Sequence, residues 1–277
     1  MPRFRLILEY DGAAFVGWQR QDNGDSVQAA LEAAALAYSG GAVQVLASGR
    51  TDSGVHALAQ VAHLDLPRDD PPQTVRNALN AHLKPAPVAV LDCQPVADDF
   101  HARFSCLGRC YLYRILERPA PLVLARGRAW WVPPGRGGRL DAEAMAEAAT
   151  HLLGRHDFTS FRASQCQADS PLRTLDGLSV RAVEGGLEIR AWARSFLHHQ
   201  VRNMVGTLKL VGQGKLAPGE VAIILAARDR ARAGPTAPPE GLYFAGALYP
   251  DAALVGADFG APPPGWADGK SRADSSR

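Results

Sequence analysis

VQVLAS at Val43–Ser48 and LAQVAHLDL at Leu58–Leu66 are two apolar-rich runs, and GRTDSGVHA at Gly49–Ala57 joins them. Runs of that length, bounded by Gly, Ser and Asp, read as consecutive strands with a polar loop between them. Working outward, Phe4–Tyr10 predicts a strand. SVQAALEAAALAYSG then predicts an amphipathic helix with Ser26 as its N-cap. Downstream, TVRNALNAHL predicts a short helix capped by Thr74 and stopped near Pro85, and PVAVLDCQPV predicts a last strand. The order is β-α-β-β-α-β, a ferredoxin-like pattern.

The second half repeats that order with insertions. YLYRILER at Tyr111–Arg118 predicts a strand, and a Pro/Gly-rich loop crosses Pro133–Gly138. Asp141 then caps a helix expected to run to about Leu153. LRTLDGLSVRAV and LEIRAWARSF predict two strands joined at Glu184-Gly185-Gly186. FLHHQVRNMVGTLKLVG and EVAIILAARD predict helices, and LYFAGALYP closes the repeat as a strand. The expected class is α+β: two ferredoxin-like halves, 1–104 and 105–250, forming a mainly antiparallel sheet with a central cleft. A tail, 251–277, follows; from about Ala261 its Pro/Gly/Ser/Asp/Arg composition predicts partial disorder.

Composition narrows the function classes. A net charge of +2 and pI of 8.4 are only mildly basic, so any nucleic-acid surface must come from local clustering of arginine. No stretch of about 18 apolar residues runs without a charge, which excludes a spanning helix, and MPRFRLILEY lacks the layout of a signal peptide. The expected location is the cytoplasm. Cys93, Cys106, Cys110 and Cys166 form no CxxC pair, and no histidine pair completes a zinc spacing, so no structural metal is expected.

Three segments look chemical. In Ser48–Ala57, Gly49 and Gly54 bracket a loop that displays Arg50 beside Asp52; the same composition also suits a plain surface turn. Around His198–Gly206 an apolar stripe buries one helix face, flanked by Arg202, and the adjacent histidines lack the spacing of a metal pair. The third segment is FHARF at Phe100–Phe104, followed by Arg109, Tyr111 and Tyr113. Alternation puts these last three on one side of a strand, either as a platform for stacking bases or as an ordinary packed sheet face.

Together these segments resemble the TruA family of tRNA pseudouridine synthases. The resemblance is carried, in order, by GWQRQ at Gly17–Gln21, SVQ at Ser26–Gln28, GRTDSGVHA at Gly49–Ala57 and NALN at Asn77–Asn80. FHARF follows, then DFTSFRASQCQ at Asp157–Gln167, HHQVRNMVG at His198–Gly206 and EGLY at Glu240–Tyr243. Ser26 stands where threonine is usual, Cys110 where a basic residue is common, and Lys84 where proline is common.

The resemblance implies an isomerase that converts uridine to pseudouridine in the anticodon stem-loop, at positions 38–40 of tRNA. It implies tRNA as partner, a homodimer, no membrane, and no cofactor or metal. Residue by residue, it makes Asp52 the catalytic aspartate, with Arg50, Tyr111 and Arg202 binding the substrate. Arg50 would hold the target nucleotide out of its stack, Tyr111 would lie against the base, and Arg202 would pair with the aspartate. The chemistry breaks N1–C1′ and joins C5 to C1′ without oxidation or reduction. It needs a carboxylate ionised at neutral pH, which a reference pKa near ~4 provides. Whether Asp52 attacks the sugar or assists a glycal route stays open. Two other classes fit parts of the chain: a non-catalytic RNA-binding protein, which would not need Asp52, and a carboxylate hydrolase, which would want a second acid that the loop lacks.

Overall fold

In β1 (Arg3–Tyr10) the side chains of Phe4, Leu6, Leu8 and Tyr10 are buried while Arg3, Arg5 and Ile7 are only partly covered, the period-two pattern of a strand with one face on a core. A computed structural model describes residues 1–135, 137–250, 252–256, Pro263 and Trp266. The chain divides into two compact units, one of residues 1–109 together with the chain from Tyr243 onward, the other Cys110–Leu242.

The first unit runs β1, α1 (Val27–Ser39), β2 (Leu46–Ala47), β3 (His56–Asp65), α2 (Pro72–Leu83) and β4 (Val88–Val96). Ser26 caps α1 as expected, its hydroxyl accepting from the Ala29 amide at 3.2 Å. The expected cap of α2 is wrong. Pro71 holds that position, Pro72 opens the helix with its φ already set, and Thr74 lies inside it. β1 pairs antiparallel with both β3 and β4. α1 contacts α2, and α2 contacts β4, so Val75, Leu79 and Leu83 are buried.

The strand expected over Val43–Ser48 shrinks to Leu46–Ala47, paired with Ala62 and His63. The physical reason is that Val45 is bonded to side chains of α1 instead: its amide donates to Glu32 Oε1 at 3.1 Å and its carbonyl accepts from Gln28 Nε2 at 3.3 Å. Further along β3, a strand from the far end of the chain, Leu242–Tyr249, lies parallel to it at His56 and Ala57.

The second unit carries β5 (Gly108–Leu116), β6 (Trp130–Trp131), α3 (Ala142–Thr150), β7 (Gly154–Asp157), β8 (Leu172–Val183), β9 (Gly186–Ala193), α4 (Gln200–Gly212) and α5 (Glu220–Ala227). Its strands run in the order β5-β9-β8-β7, with β6 parallel to β5 at Ile115 and Leu116. Asp141 caps α3 by accepting from the Glu143 and Ala144 amides. The helix ends at Thr150, short of Leu153. β7 has no counterpart among the expected strands; GRHD has no apolar alternation and is a strand because Leu172–Leu175 of β8 pairs with it. The chain then returns to the first unit as β10 (Leu242–Tyr249), which β11 (Ala252–Gly256) joins antiparallel. Of the expected tail, Trp266 is buried; the disorder expected from Ala261 onward otherwise falls outside the described residues.

One glycine in α4 is dictated by packing. A Cβ on Gly206 would stand 1.7 Å from the Pro235 carbonyl oxygen. The chain from Gly234 to Ala237 is laid along the helix there: the Gly234 amide donates to Thr207 Oγ1 and the Ala237 amide to the Arg202 carbonyl. Gly206→Ala is therefore expected to cost about 3 kcal/mol, the upper end for overpacking. Denaturant unfolding checks this, and an unchanged midpoint would contradict the close approach.

Candidate functional site

Within the loop Ser48–Val55, burial alternates between anchors and displayed groups. Ser48 and Thr51 are buried, Arg50 and Ser53 are exposed, and Asp52 is half-buried. The anchors enter one buried polar cluster. Thr51 Oγ1 lies 2.8 Å from the Tyr10 hydroxyl, and Ser48 Oγ donates to Gln60 Oε1 at 2.8 Å. Gln60 Nε2 donates to the Gly49 carbonyl at 2.8 Å and to the Tyr10 oxygen at 3.5 Å. Burial pushes the Tyr10 hydroxyl up to about 12, so it stays a neutral bonding partner at pH 7.

GWQRQ backs the same loop. Gly17 pairs with Asp52 in an isolated bridge, and the Trp18 amide donates to the Thr51 carbonyl at 3.0 Å. Gly17 holds φ +123°, and a Cβ there would sit 2.7 Å from the Thr51 oxygen, so both conformation and space call for glycine. Beyond the loop, the Gly12 amide donates to His56 Nδ1 at 3.0 Å, and the His56 ring stacks on Tyr243 at 4.8 Å. Three separated sequence motifs thus meet behind Asp52.

Arg109 ties this loop to FHARF. Its Nε and Nη2 both donate to the Ser48 carbonyl, at 3.0 and 2.5 Å, and Nη2 also donates to the Arg103 carbonyl at 3.1 Å. Of the two readings open for Arg109, Tyr111 and Tyr113, a stacking platform or a packed sheet face, the packed face therefore holds for two of the three. Arg109 is committed to backbone carbonyls. Tyr113 has no exposed surface; its hydroxyl donates to the Pro238 carbonyl at 2.7 Å, and its ring fills the space a side chain on Gly241 would need.

Tyr111 and Arg202 stand on the second unit. Tyr111 is almost fully buried on β5, its ring edge-on to Phe196 at 5.1 Å. Arg202, in the first turn of α4, is half-buried, and its Nε donates to the Ala237 carbonyl at 2.7 Å, which fixes the plane of the guanidinium. The polar neighbours of Arg202 are structural. Gln200 Oε1 accepts from the Leu197 amide, and Asn203 bonds the Phe161 carbonyl, Arg230 and Thr236. His199 enters the helix at φ +61°, a conformation costing about 1–3 kcal/mol, and its ring lies 4.0 Å from that of His198. Sequence reasoning brought Arg50 and Asp52 together on one loop and missed Tyr10 and Gln60 beneath them. The signals were a tyrosine in phase with the buried face of β1 and a glutamine inside an otherwise apolar run.

The family described as tRNA pseudouridine synthase matches the chain at residues 6–105 and 148–250. The chain is 61% identical over 249 residues to a tRNA pseudouridine synthase A of Paramagnetospirillum magneticum, covering 90% of this chain and 96% of that one. It is 62% identical over 249 residues to the protein of the same name from Rhodospirillum centenum, covering 90% and 100%. Over 251 residues it is 57% identical to that of Beijerinckia indica, covering 91% and 95%.

Removing only the hydroxyl that anchors the loop, as Tyr10→Phe, leaves Thr51 without that buried partner and is expected to cost about 1–2 kcal/mol. Amide hydrogen exchange at Thr51–Gly54 should speed up with it. Unchanged exchange in that loop would mean that the cluster does not hold it.

Proposed function

The chain belongs to the tRNA pseudouridine synthase family, and from that premise we propose that Asp52 is the nucleophile with which it works. The protein is an isomerase that converts uridine to pseudouridine in tRNA. The observation that carries the assignment of Asp52 is its loop: a half-buried carboxylate directly after the buried anchor Thr51, with a second buried anchor, Ser48, and the exposed Arg50 just before it. A reacting group needs to be presented in one geometry, and a loop fixed from beneath by a buried polar cluster meets that need.

The target uridine sits in an RNA stack and must leave it before any side chain can reach its ribose, at a cost of a few kcal/mol repaid by contacts to the extruded nucleotide. Arg50 is assigned that holding role. It is exposed and charged, and has no ion-pair partner among the described residues. Asp52 then acts at the ribose, by bonding C1′ or by assisting loss of the base through a glycal. In both routes N1–C1′ breaks, the base turns, C5 bonds C1′, and the proton leaving C5 is balanced by one gained at N1. Tyr111 is assigned to hold the detached base; its nearly buried ring, set against Phe196, is suited to face a base without yielding. Arg202 is assigned to pair with the aspartate, the role that the HHQVRNMVG motif implies for it. Its Ala237 bond supports the reading by orienting the group. The anticodon arm as target, a homodimeric assembly and a cytoplasmic location belong to the same proposal, resting on the motifs that carry the family resemblance. No helix among the described residues is long and apolar enough to cross a membrane.

Asp52→Asn is expected to bind unmodified tRNA like the wild type and to form no pseudouridine in it, measured by digestion to nucleosides and chromatographic separation of pseudouridine from the isomeric uridine. Equal product from both proteins would remove Asp52 from the chemistry. Release of free uracil would instead favour a hydrolase. Arg202→Ala is expected to lower turnover about a hundredfold with a much smaller change in tRNA affinity; weakened binding with unchanged turnover would move Arg202 to docking.

A further inference from the structure

FHARF is a segment that the sequence marks as chemical and that the proposed chemistry leaves unused. Phe104 at its end is 75% exposed, and Arg103 beside it is exposed as well. An exposed phenylalanine on a mobile loop would mean little. This one sits on a turn whose backbone is bonded at nearly every residue. His63 Nδ1 accepts from the Ala102 amide at 3.2 Å, and the Ala102 carbonyl accepts from the Tyr249 hydroxyl at 2.6 Å. His101 Nδ1 accepts from the Arg103 and Phe104 amides at 3.1 and 3.3 Å, and the Arg103 carbonyl accepts from Arg109. Burial pushes His63 down to about 4, so its ring is neutral near pH 7 and able to accept.

The turn thus presents an aromatic ring outward in a fixed attitude. The ring is backed on one side by the His101 imidazole, centroids 4.4 Å apart, with the Arg103 guanidinium 5.6 Å from its centre. Phe104 is nonetheless 75% exposed, and an exposed aromatic with a guanidinium lying over it matches an unpaired base and its phosphate, to which the arginine can turn, better than an apolar protein partner, which would leave the arginine charge to be desolvated. The turn is also coupled to the catalytic loop: one guanidinium, that of Arg109, bonds both the Arg103 carbonyl and the Ser48 carbonyl at the head of the Asp52 loop.

We propose that Phe104 is a stacking site for a nucleobase of the tRNA arm next to the target uridine, with Arg103 on the adjoining phosphate. This rests on the reading of the chain as a tRNA-modifying enzyme and adds a subsite to it. Ordering that base fixes the strand from which the target nucleotide is extruded, and Arg109 holds the subsite and the Asp52 loop at a set distance.

The test uses wild type, Phe104→Ala and Phe104→Trp, with unmodified tRNA and with anticodon stem-loop RNAs carrying single abasic nucleotides around the target. Phe104→Ala is expected to weaken tRNA binding by about 5- to 150-fold, and Phe104→Trp to restore it. One abasic position should erase the difference between wild type and Phe104→Ala. Equal affinities for wild type and Phe104→Ala overturn the proposal, and a changed sedimentation coefficient alongside them would make the ring a subunit contact. A loss of affinity that persists with every abasic RNA also overturns it. Wild-type conversion of uridine in the same tRNA is measured in parallel; its absence would defeat the enzymatic reading itself, whereas active wild type with an indifferent Phe104→Ala defeats this inference alone.

Discussion

The loop that displays Asp52 is held in one conformation by four buried polar side chains, Tyr10, Ser48, Thr51 and Gln60, and the proposed role of its carboxylate depends on that constraint. Such groups are expensive to bury unpaired, and they are not unpaired; each hydrogen bond satisfies one partner while fixing another. The cost of desolvating hydroxyls and an amide is thereby converted into a single loop conformation. Arg50, Asp52 and Ser53 face away from the cluster because their neighbours are drawn into it.

The other recurrent motifs serve the same end at longer range. GWQRQ supplies a backbone that runs against the loop closely enough to require Gly17. His56, at the end of the loop, is held by the Gly12 amide and by stacking on Tyr243. On the second unit, most polar residues of HHQVRNMVG bind carbonyls, amides and neighbouring side chains, and Gly206 admits the chain at Pro235. Arg202 is half-buried, and the bond from its Nε to the Ala237 carbonyl sets the plane of its guanidinium. A motif in this protein is therefore mostly scaffold, with one or two reactive groups placed by it.

Much of this was legible in the sequence because it rests on local rules. Alternation in Phe4–Tyr10, the Ser26 and Asp141 caps, and the glycines around Asp52 each point to structure without knowledge of distant neighbours. What escaped was decided by tertiary partners. β2 is short because Glu32 and Gln28 of α1 take the backbone amide and carbonyl of Val45. β7 exists because β8 pairs with it. Alternation correctly placed Tyr111 and Tyr113 on one side of a strand. It could not say that Pro238 and Gly241 cover Tyr113. Gln60 was visible as an anomaly in an apolar run, but its partners were not.

The central claim is that the Asp52 carboxylate meets the ribose of an extruded uridine. The most direct measurement is a crystal structure of the Asp52→Asn variant bound to a uridine-containing anticodon stem-loop. The account predicts the target uridine out of its stack, with the side chain at position 52 about 3–3.5 Å from its ribose, the distance of a near-attack arrangement, and Arg202 beside it. A well-ordered complex in which the target base stays stacked, or its ribose lies far from position 52, would contradict it.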